Sequence, residues 1–281
     1  HDVARRTAEF DRKLREGKAE PFGVMNNLSH SLYGKTLGII GMGRIGQALA
    51  RRAVASGMQI VYNNRRPLSD EAMKRLGDEA MGVVAVPMAV ATDMETGEKQ
   101  MLTIGSRLHN YAHGTFEMLG KQYQIDPTCV NCLENASLQN GSTTTYSLEV
   151  KGEEVVRLAK SLLNVPYLWG GKNMMGYDCS GFTQTVYGVF GINILRNARE
   201  QVTQGEVVNS LAESRPGDLV FFNHADRDPN ATRITHVGML ISQTEVIHCA
   251  GYVHVAKIDD MGIRLANGKL SHHLAQIKRY L

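Results

Sequence analysis

The stretch Asp178-Cys179-Ser180-Gly181-Phe182 places a thiol at the beginning of a predicted helix. Apolar residues recur with helical spacing from there to residue 190, and Gly191 then ends the pattern. Unpaired backbone N–H groups and the positive end of a helix dipole favour a thiolate at such a position. Asp178 or Ser180 is expected to cap the first turn. Cys179 is therefore a candidate nucleophile.

Two histidines farther along the chain supply a candidate base and a candidate partner for that base. His236 begins one predicted strand, and His248 lies near the end of the next. A hairpin centred on Ser242 would make them direct cross-strand neighbours on one face, whereas a hairpin centred one residue later would set them diagonally. Because a cysteine nucleophile needs a base and the base needs an orienting group, we expect Cys179, His236 and His248 to act together.

The predicted elements around these residues run from helix to sheet. Helices are predicted over 153–163 and 178–190, and strands over 218–222, 236–241 and 244–249. Helices followed by a run of antiparallel strands are typical of the α+β class.

Several ordered motifs in this part of the chain are typical of one family. They are Tyr167-Leu168-Trp169-Gly170-Gly171, Asp178-Cys179-Ser180-Gly181-Phe182, Arg215-Pro216-Gly217-Asp218-Leu219-Val220-Phe221-Phe222, His236-Val237-Gly238 and Ile247-His248. Through them, residues 153–281 resemble the NlpC family of cell-wall cysteine peptidases. The resemblance implies a papain-like catalytic domain without a cofactor. It also implies hydrolysis of peptidoglycan stem peptides (muropeptides), commonly between γ-D-glutamate and a diamino acid.

The same resemblance implies a role for individual residues. Cys179 would attack the carbonyl, His236 would be the base, and His248 would orient it. Further residues would lie beside the nucleophile or line the substrate groove: Tyr167, Trp169, Asp178, Ser180, Arg196 and Asn197.

The sequence departs from the family's pattern at Asn197. Relatives that read a free N-terminal amine have an acid directly after the arginine that Arg196 matches. A neutral amide is a weaker partner for an ammonium group than a carboxylate is. The departure weakens the expectation that a free L-Ala terminus is preferred, and it leaves the peptidase prediction unchanged.

Residues 81–134 are predicted to form short strands separated by glycine turns, a pattern that suits a small β-barrel. Strands are predicted over 83–90 and 101–104, with a turn at 93–97. Two motifs, Gly105-Ser106-Arg107-Leu108 and Gly114-Thr115-Phe116, resemble bacterial SH3-like domains. In recycling-type relatives such domains shape the pocket for a free L-Ala-γ-D-Glu end. The polar stretch 135–152 that follows is predicted to be a linker.

Residues 1–80 are predicted to form a partial Rossmann βαβ fragment after a first helix over 2–16. The strand 36–40 leads directly into a glycine-rich turn, a helix over 45–56 and a second strand over 59–62. The beginning of that helix could hold a pyrophosphate. Arginines after the second strand, where an acid would bind a ribose hydroxyl, favour NADP over NAD. The candidate cofactor-binding residues are Gly41, Gly43, Arg44, Ile45, Gly46, Asn64, Arg65 and Arg66.

Residues 1–69 resemble D-2-hydroxyacid dehydrogenases of the glyoxylate or hydroxypyruvate reductase type. The later catalytic Arg, Glu and His motifs of that family do not follow, and a full dinucleotide fold needs two such halves. We therefore expect a fused or truncated fragment without redox activity, in which residual NADP(H) binding is possible. An NADP-dependent reductase and a non-catalytic cell-wall-binding module are the alternative functions.

Composition sets further bounds. A net charge of +3 is too small to indicate a nucleic-acid partner, and no apolar run approaches the ~20 residues of a membrane-spanning helix. Because the chain begins with His1, we expect a piece of something longer. The peptidase would work in the cell envelope or outside the cell if an upstream signal precedes this sequence, and otherwise in the cytoplasm. The sequence does not decide the oligomeric state.

Other reactive side chains are given structural roles. Cys129 and Cys132, with His109 and His113 upstream, are residue types that bind zinc. Their order is the reverse of that in a usual zinc finger, so no metal site is predicted. Cys249 should point to the face of its strand opposite His248. The pair His272-His273 is predicted to be solvated surface.

Overall fold

The computed structural model of the chain describes residues 12–13, 15–18, 35–55, 58–63, 81–133, 150–223, 233–265 and 267–281. The chain divides into two compact units, His1–Gly77 and Asp78–Leu281. Among the described residues, no helix is both long and apolar enough to span a membrane.

The first unit contains the predicted βαβ element. Strand β1 (Thr36–Ile40) is followed by helix α1 (Arg44–Ala55) and strand β2 (Gln59–Asn63). The two strands are parallel, as a crossover through a helix requires. A small core forms from Ile39, Met42 and Ala50.

Three predictions reach beyond the described residues. Of the helix predicted over 2–16, Arg12, Lys13 and Arg15 are described and are helical. Asn64, Arg65 and Arg66, which were expected to select the cofactor, lie outside the described residues, as does most of the linker predicted over 135–152.

The second unit begins with an antiparallel sheet of seven strands in the order β5-β4-β8-β7-β6-β3-β9. The strands are β3 (Met81–Val84), β4 (Met88–Asp93), β5 (Lys99–Thr103), β6 (Arg107–Ala112), β7 (Thr115–Met118), β8 (Lys121–Ile125) and β9 (Val130–Leu133). The prediction of one strand over 83–90 is wrong, because the chain leaves the sheet at residues 85–87. Pro87 has no N–H to donate to a strand ladder.

The rest of the second unit has helices on one side of a second sheet. The helices are α2 (Gly152–Lys160), α3 (Cys179–Val189) and α4 (Ala198–Gln201). The strands of this sheet are β12 (Glu206–Val208), β13 (Leu219–Asn223), β14 (His236–Ser242), β15 (Glu245–Ala250), β16 (Tyr252–Asp259), β17 (Gly262–Arg264) and β18 (Leu270–Arg279). Strands β10 (Lys172–Asn173) and β11 (Gly176–Tyr177) form a separate two-stranded sheet. This arrangement agrees with the predicted α+β plan.

Six strands of this sheet close into a ring, because β18 pairs with both β13 and β17. Successive side chains of a strand point to opposite faces, so each strand contributes to two cores. The inner core, inside the ring, includes Phe222, Leu240 and Val246. The outer core, between the ring and the helices, includes Phe221 and Phe182.

The seven-stranded β sheet packs against the helices that flank the second sheet. Val83, Ile104 and Leu133 belong to the same hydrophobic cluster as helix α3. The amide of Asn131 also donates a hydrogen bond to the carbonyl of Val189 at 3.3 Å. The two parts therefore share one core within Asp78–Leu281.

Candidate active site

Helix α3 begins at Cys179 with Asp178 as its N-cap. The Asp178 carboxylate accepts hydrogen bonds from the Gly181 N–H at 2.6 Å and from the Gly170 N–H at 3.0 Å. One side chain thus satisfies a free donor of the first turn and ties the preceding loop to it. The sequence offered Asp178 or Ser180 as the N-cap, and the structure has Asp178 in that position.

Arg196 holds this cap in place from a separate segment. Its guanidinium contacts both carboxylate oxygens of Asp178, at 2.6 and 3.0 Å, and donates a further bond to the Ser180 hydroxyl at 3.0 Å. A bidentate arrangement of this kind fixes orientation as well as distance. Asp178 and Ser180 are both buried, so their observed role is to hold the turn that carries the thiol. Their predicted place in a substrate groove stays a prediction.

Glycine lets the loop before the helix approach closely. A Cβ atom on Gly181 would lie 2.1 Å from the Gly171 carbonyl oxygen, and a Cβ on Gly171 would lie 2.3 Å from that of Gly176. No other residue fits either position without moving backbone. The glycine-rich approach expected from the sequence is therefore a packing requirement of the turn at Cys179.

The thiol of Cys179 is buried, and its neighbours shift its pKa in opposite directions. Burial, and then the negative charge of Asp178, raise the pKa of Cys179 to about 11. The backbone N–H groups of Val237 and Ser180 and the charge of Arg196 act the other way. The helix start favours a thiolate, as expected from the sequence, and burial of the sulfur acts against it. The contact with Val237 sets the sulfur against the residue next to His236.

His236 and His248 are hydrogen-bonded through their rings. Nε2 of His236 lies 2.8 Å from Nδ1 of His248, and the ring planes are nearly perpendicular. Both side chains are buried. The predicted pairing of these two residues is therefore present as a direct contact between imidazoles.

The strand register behind this contact differs from the prediction. The residue opposite His248 is Gly238, and a register shift lies between Leu240 and Ser242. His236 pairs instead with Phe222 on β13. The expectation of direct cross-strand neighbours is wrong, and the histidines sit diagonally. Gly238 lies on the same face as His236 and has no side chain to fill the space beside His248.

His248 is held in its neutral form. Burial, followed by the charges of His254 and His272, lowers the pKa of His248 to about 3. Its Nε2 is buried and has no hydrogen-bond partner among the described residues. A neutral imidazole offers one acceptor nitrogen and one donor nitrogen, so His248 can accept a bond at Nδ1 when its own proton is on Nε2.

Tyr167 and Trp169 lie on the loop before the helix, and Tyr167 is close enough to Cys179 to be affected by its charge. Burial, and then the nearby Cys179, raise the pKa of Tyr167 to about 12, so its hydroxyl remains protonated. Trp169 is 52% exposed. A half-buried phenol and an exposed indole on this loop provide apolar contact area together with hydrogen-bond donors.

Asn197 is occupied within its own helix turn. The side-chain amide of Asn197 donates to the Glu200 carboxylate at 2.9 Å, and its backbone N–H donates to the same oxygen at 3.3 Å. Asn197 stands immediately before helix α4, so this contact supports the helix start. The side chain is thus less suited to holding a substrate amine than the acid expected there.

Two site neighbours were missed from the sequence. His272 lies with its ring centroid 4.5 Å from that of His236, and His254 lies 4.4 Å from His248. The prediction that His272 is solvated surface is wrong, because β18 brings it onto the ring of His236. The alternating pattern of β18 could have indicated an inward side chain, but its pairing with β17 was needed to locate it.

The glycine-rich turn of the first unit has the local geometry of a dinucleotide cradle. Gly41 has a φ of 90°, and a Cβ on Gly46 would lie 2.3 Å from the Gly41 carbonyl oxygen. A Cβ on Gly43 would meet nothing within 4 Å. Tight turn, close helix–strand packing and open space are the three roles that glycines have in this motif. Arg44 and Ile45 are exposed at the helix start.

The remaining cysteines are free thiols without a shared site. Cys129 is half-buried and Cys132 is exposed. Cys249 points away from the face of His248, as predicted, and donates a hydrogen bond to the Tyr177 carbonyl at 3.2 Å. Within the described ranges, no group of three or more His, Cys, Asp or Glu side chains is arranged to hold a metal ion.

Two family models match separate parts of this chain. Residues 164–272 match the NlpC/P60 family. Residues 1–88 match the NAD binding domain of D-isomer specific 2-hydroxyacid dehydrogenases. The resemblances to the NlpC family and to the D-2-hydroxyacid dehydrogenases are confirmed.

Curated relatives fall into the same two groups. A gamma-D-glutamyl-L-lysine dipeptidyl-peptidase of Bacillus cereus is 36% identical over 96 residues, which are 34% of this chain and 28% of that protein. A glyoxylate reductase of Thermococcus gammatolerans is 39% identical over 113 residues, covering 35% of this chain and 34% of that protein. The chain thus spans about a third of the length of each.

A solved structure supports the fold of the larger part. The crystal structure of an NlpC/P60 family protein from Bacillus cereus has a TM-score of 0.57 to this chain at 24% sequence identity. The match covers 72% of this chain and 64% of that one. The papain-like fold predicted for the peptidase region is confirmed at this level.

Proposed function

Since residues 164–272 form an NlpC/P60 domain, we propose that this chain is a cysteine peptidase that hydrolyses peptidoglycan stem peptides. The bond cut is the one between γ-D-glutamate and a diamino acid. A relative named for the γ-D-glutamyl-L-lysine bond supports this choice of substrate. The observation that carries the proposal is the 2.8 Å contact between His236 and His248, together with the helix-start thiol of Cys179, which the backbone N–H of Val237, the residue after His236, contacts.

The reaction begins with proton transfer from Cys179 to His236. Because the pKa of Cys179 is raised to about 11, the thiol is the resting form. In the proposed mechanism, Nδ1 of His236 takes the proton as the sulfur attacks the scissile carbonyl carbon. His236 then gives the proton to the leaving amine as the C–N bond breaks, which leaves a thioester on Cys179. Water, deprotonated by His236, hydrolyses the thioester and restores the thiol.

His248 orients the base in this scheme. For Nδ1 of His236 to accept a proton, its other nitrogen must carry one, and Nε2–H then donates to Nδ1 of His248. The lowered pKa of His248 supports this direction, because a neutral His248 keeps an acceptor available. The pair works as a base and a fixed acceptor, the arrangement that other catalytic triads use.

The substrate is a muropeptide held along the loop before helix α3. Tyr167 and Trp169 form one side of the groove, and Trp169 is exposed enough to contact a sugar or a peptide. The largely buried Asp178–Arg196 ion pair forms the base of this groove. Because Asn197 is engaged with Glu200, a free L-Ala amine contributes little to binding. We therefore propose that cleavage does not require a free N-terminal amine, as an enzyme restricted to releasing N-terminal dipeptides would.

The seven-stranded β part, residues 81–133, is proposed to be the SH3-like domain that its motifs resemble, and its role is to border the substrate groove. Residues 153–281 are the peptidase domain in this scheme. With peptidoglycan as substrate, the proposed place of the activity is the cell envelope or outside the cell, and the cytoplasm is the alternative for a recycling role. The oligomeric state is outside the proposal.

The test of this function uses two synthetic stem peptides and mass spectrometry of the products. L-Ala-γ-D-Glu-L-Lys-D-Ala should yield L-Ala-γ-D-Glu and L-Lys-D-Ala. The N-acetylated peptide should be cut with a kcat/KM within about tenfold of the free one, since the loss of one weak neutral contact is worth about 1 kcal/mol. No cleavage of either peptide would refute the peptidase proposal, and cleavage of the free peptide alone would refute the assignment of Asn197.

A second candidate function, dinucleotide binding, is favoured by the glycine turn of the first unit. Gly41, Gly43 and Gly46 fit the cradle, and the NAD binding family model covers this segment. A bound dinucleotide would supply a hydride, but the chain's own contribution in this proposal is limited to holding phosphate groups. The arginines at residues 65 and 66 make NADPH the preferred ligand.

Titration calorimetry with NADPH and NADH tests this second function. Gly43 faces open space, so Gly43→Val should remove binding without loss of folding, as judged by circular dichroism. Equal heats for wild type and Gly43→Val would refute a site at this turn.

A further inference from the structure

The imidazole of His236 is held by more than its hydrogen bond. The ring centroid of Phe222 lies 5.8 Å from that of His236. The ring centroid of His272 lies 4.5 Å from that of His236, with the two planes inclined by 35°. Phe222 and His272 also contact each other, at 5.8 Å. His236 therefore stands in an aromatic cage in addition to its bond to His248.

We infer that His272 is a positioning residue for His236, acting through ring contact to keep Nδ1 of the base directed at the thiol. The inference rests on the proposed function, in which His236 is the base. It adds a fourth residue, on the C-terminal strand β18, to the three that the sequence motifs indicate.

The physical argument begins with the limits of one hydrogen bond. The contact from Nε2 of His236 to His248 fixes one corner of the ring. Rotation and tilt of the ring about that corner still move Nδ1, the atom that must reach the sulfur. A packed face opposes this motion, since an offset aromatic pair has a preferred separation and tilt. His272 supplies such a face at 4.5 Å.

His272 is itself well anchored. The hydroxyl of Ser271 lies 3.0 Å from Nδ1 of His272. Its backbone pairs with Ile263 on β17, and the next strand residues pair with β13, on which Phe222 lies. Strand β18 lies beside β13, which pairs with β14, the strand of His236. A side chain held from both sides can transmit that rigidity to a neighbour.

Small displacements of the base are costly for the reaction. Near-attack geometry demands reacting atoms within about 3–3.5 Å, and a misplacement of 1 Å can cost about a hundredfold in rate. Loss of the His272 ring should therefore lower kcat and leave KM nearly unchanged, because His272 contacts the ring of the base and is not among the residues proposed to hold the substrate.

The experiment compares His272→Ala, His272→Phe and the matched control His273→Ala. His273 is the neighbouring histidine of the same strand and points to the opposite face. On L-Ala-γ-D-Glu-L-Lys-D-Ala, His272→Ala should lower kcat about tenfold, with KM within twofold of wild type. His272→Phe, which keeps a ring, should restore kcat to within about threefold. Unchanged kcat in His272→Ala, or an equal loss in His272→Phe, would overturn the inference.

A second readout needs no catalysis. The ¹⁵N NMR signals of the His236 ring, recorded without substrate, should shift or broaden in His272→Ala and return in His272→Phe. An unaltered His236 signal in His272→Ala would overturn the inference even if the peptide is cleaved. Cleavage by the wild type is read separately, so failure of the peptidase proposal and failure of the positioning role give different results.

Discussion

His236 and His248 share a hydrogen bond of 2.8 Å although neither is the other's cross-strand partner. The residue opposite His248 is Gly238, whose missing side chain leaves the inner face of the sheet open between the two rings. The contact therefore depends on a glycine as much as on two histidines.

Substitution at Gly238 should disturb this contact. A Cβ there would lie 2.6 Å from Cγ2 of Val246 and 3.1 Å from Cβ of His248. Gly238→Ala is expected to lower the free energy of unfolding by about 1–3 kcal/mol through overpacking and to reduce kcat. Chemical denaturation and peptide hydrolysis measure the two effects.

Gly188 provides the matched control in helix α3. A Cβ on Gly188 would meet nothing within 4 Å, and Ala has the higher helix propensity by about 1 kcal/mol. Gly188→Ala should be neutral or stabilising. If Gly238→Ala were equally neutral in stability and in kcat, the role given to that glycine would be wrong.

Removal of either histidine should affect chemistry more than binding. His236→Ala deletes the base and should lower kcat by about 10²–10⁴-fold. His248→Gln keeps a polar side chain but cannot offer Nδ1 at the same place, and we expect kcat to fall by at least about tenfold. Steady-state kinetics with a fluorogenic γ-D-glutamyl peptide separates kcat from KM. A kcat of wild-type size in His236→Ala would contradict its role as base.

The raised pKa of Cys179 predicts how the free protein reacts with iodoacetamide. Only the thiolate is alkylated. With a pKa of about 11, the thiolate fraction is small at neutral pH and grows as the pH rises. The labelling rate at Cys179, followed by peptide mass mapping, should increase about tenfold per pH unit between pH 7 and pH 9. A plateau already reached by pH 7 would indicate a preformed thiolate–imidazolium pair instead.

The Arg196–Asp178 ion pair should be worth far more than a surface pair. Both side chains are largely buried, with 17% and 12% of their side-chain surface exposed. Arg196→Gln would leave a buried carboxylate without its cation and should cost about 3 kcal/mol of folding free energy. Lys257→Met, which breaks the exposed pair with Glu245, should leave stability near the wild-type value. Equal denaturation midpoints for the two variants would refute this comparison.

Much of the site could be predicted from the sequence because its determinants are local. The spacing of apolar residues after Cys179 and the carboxylate before it are enough to indicate a capped helix with a thiol at its first position. The glycine-rich loop at Gly171 and the βαβ element near Gly41 follow from equally short patterns.

The rest depends on contacts between distant segments. A register shift between Leu240 and Ser242 changes which residue faces His248, and hairpin symmetry alone does not reveal such a shift. His272 reaches His236 because β18 pairs with β13, the strand beside that of His236, although the two residues are far apart in the sequence. The raised pKa of Cys179 follows mainly from burial of the sulfur. The local sequence at the helix start does not reveal that burial.

The nucleophilic role of Cys179 is tested most directly by mass spectrometry of a purified muropeptide after incubation with wild type, Cys179→Ala and Cys132→Ala. Cys132 is an exposed free thiol and serves as the control for loss of any cysteine. We predict cleavage between γ-D-glutamate and the diamino acid by wild type and by Cys132→Ala, and intact muropeptide with Cys179→Ala. Cleavage by Cys179→Ala at the wild-type rate would contradict the account.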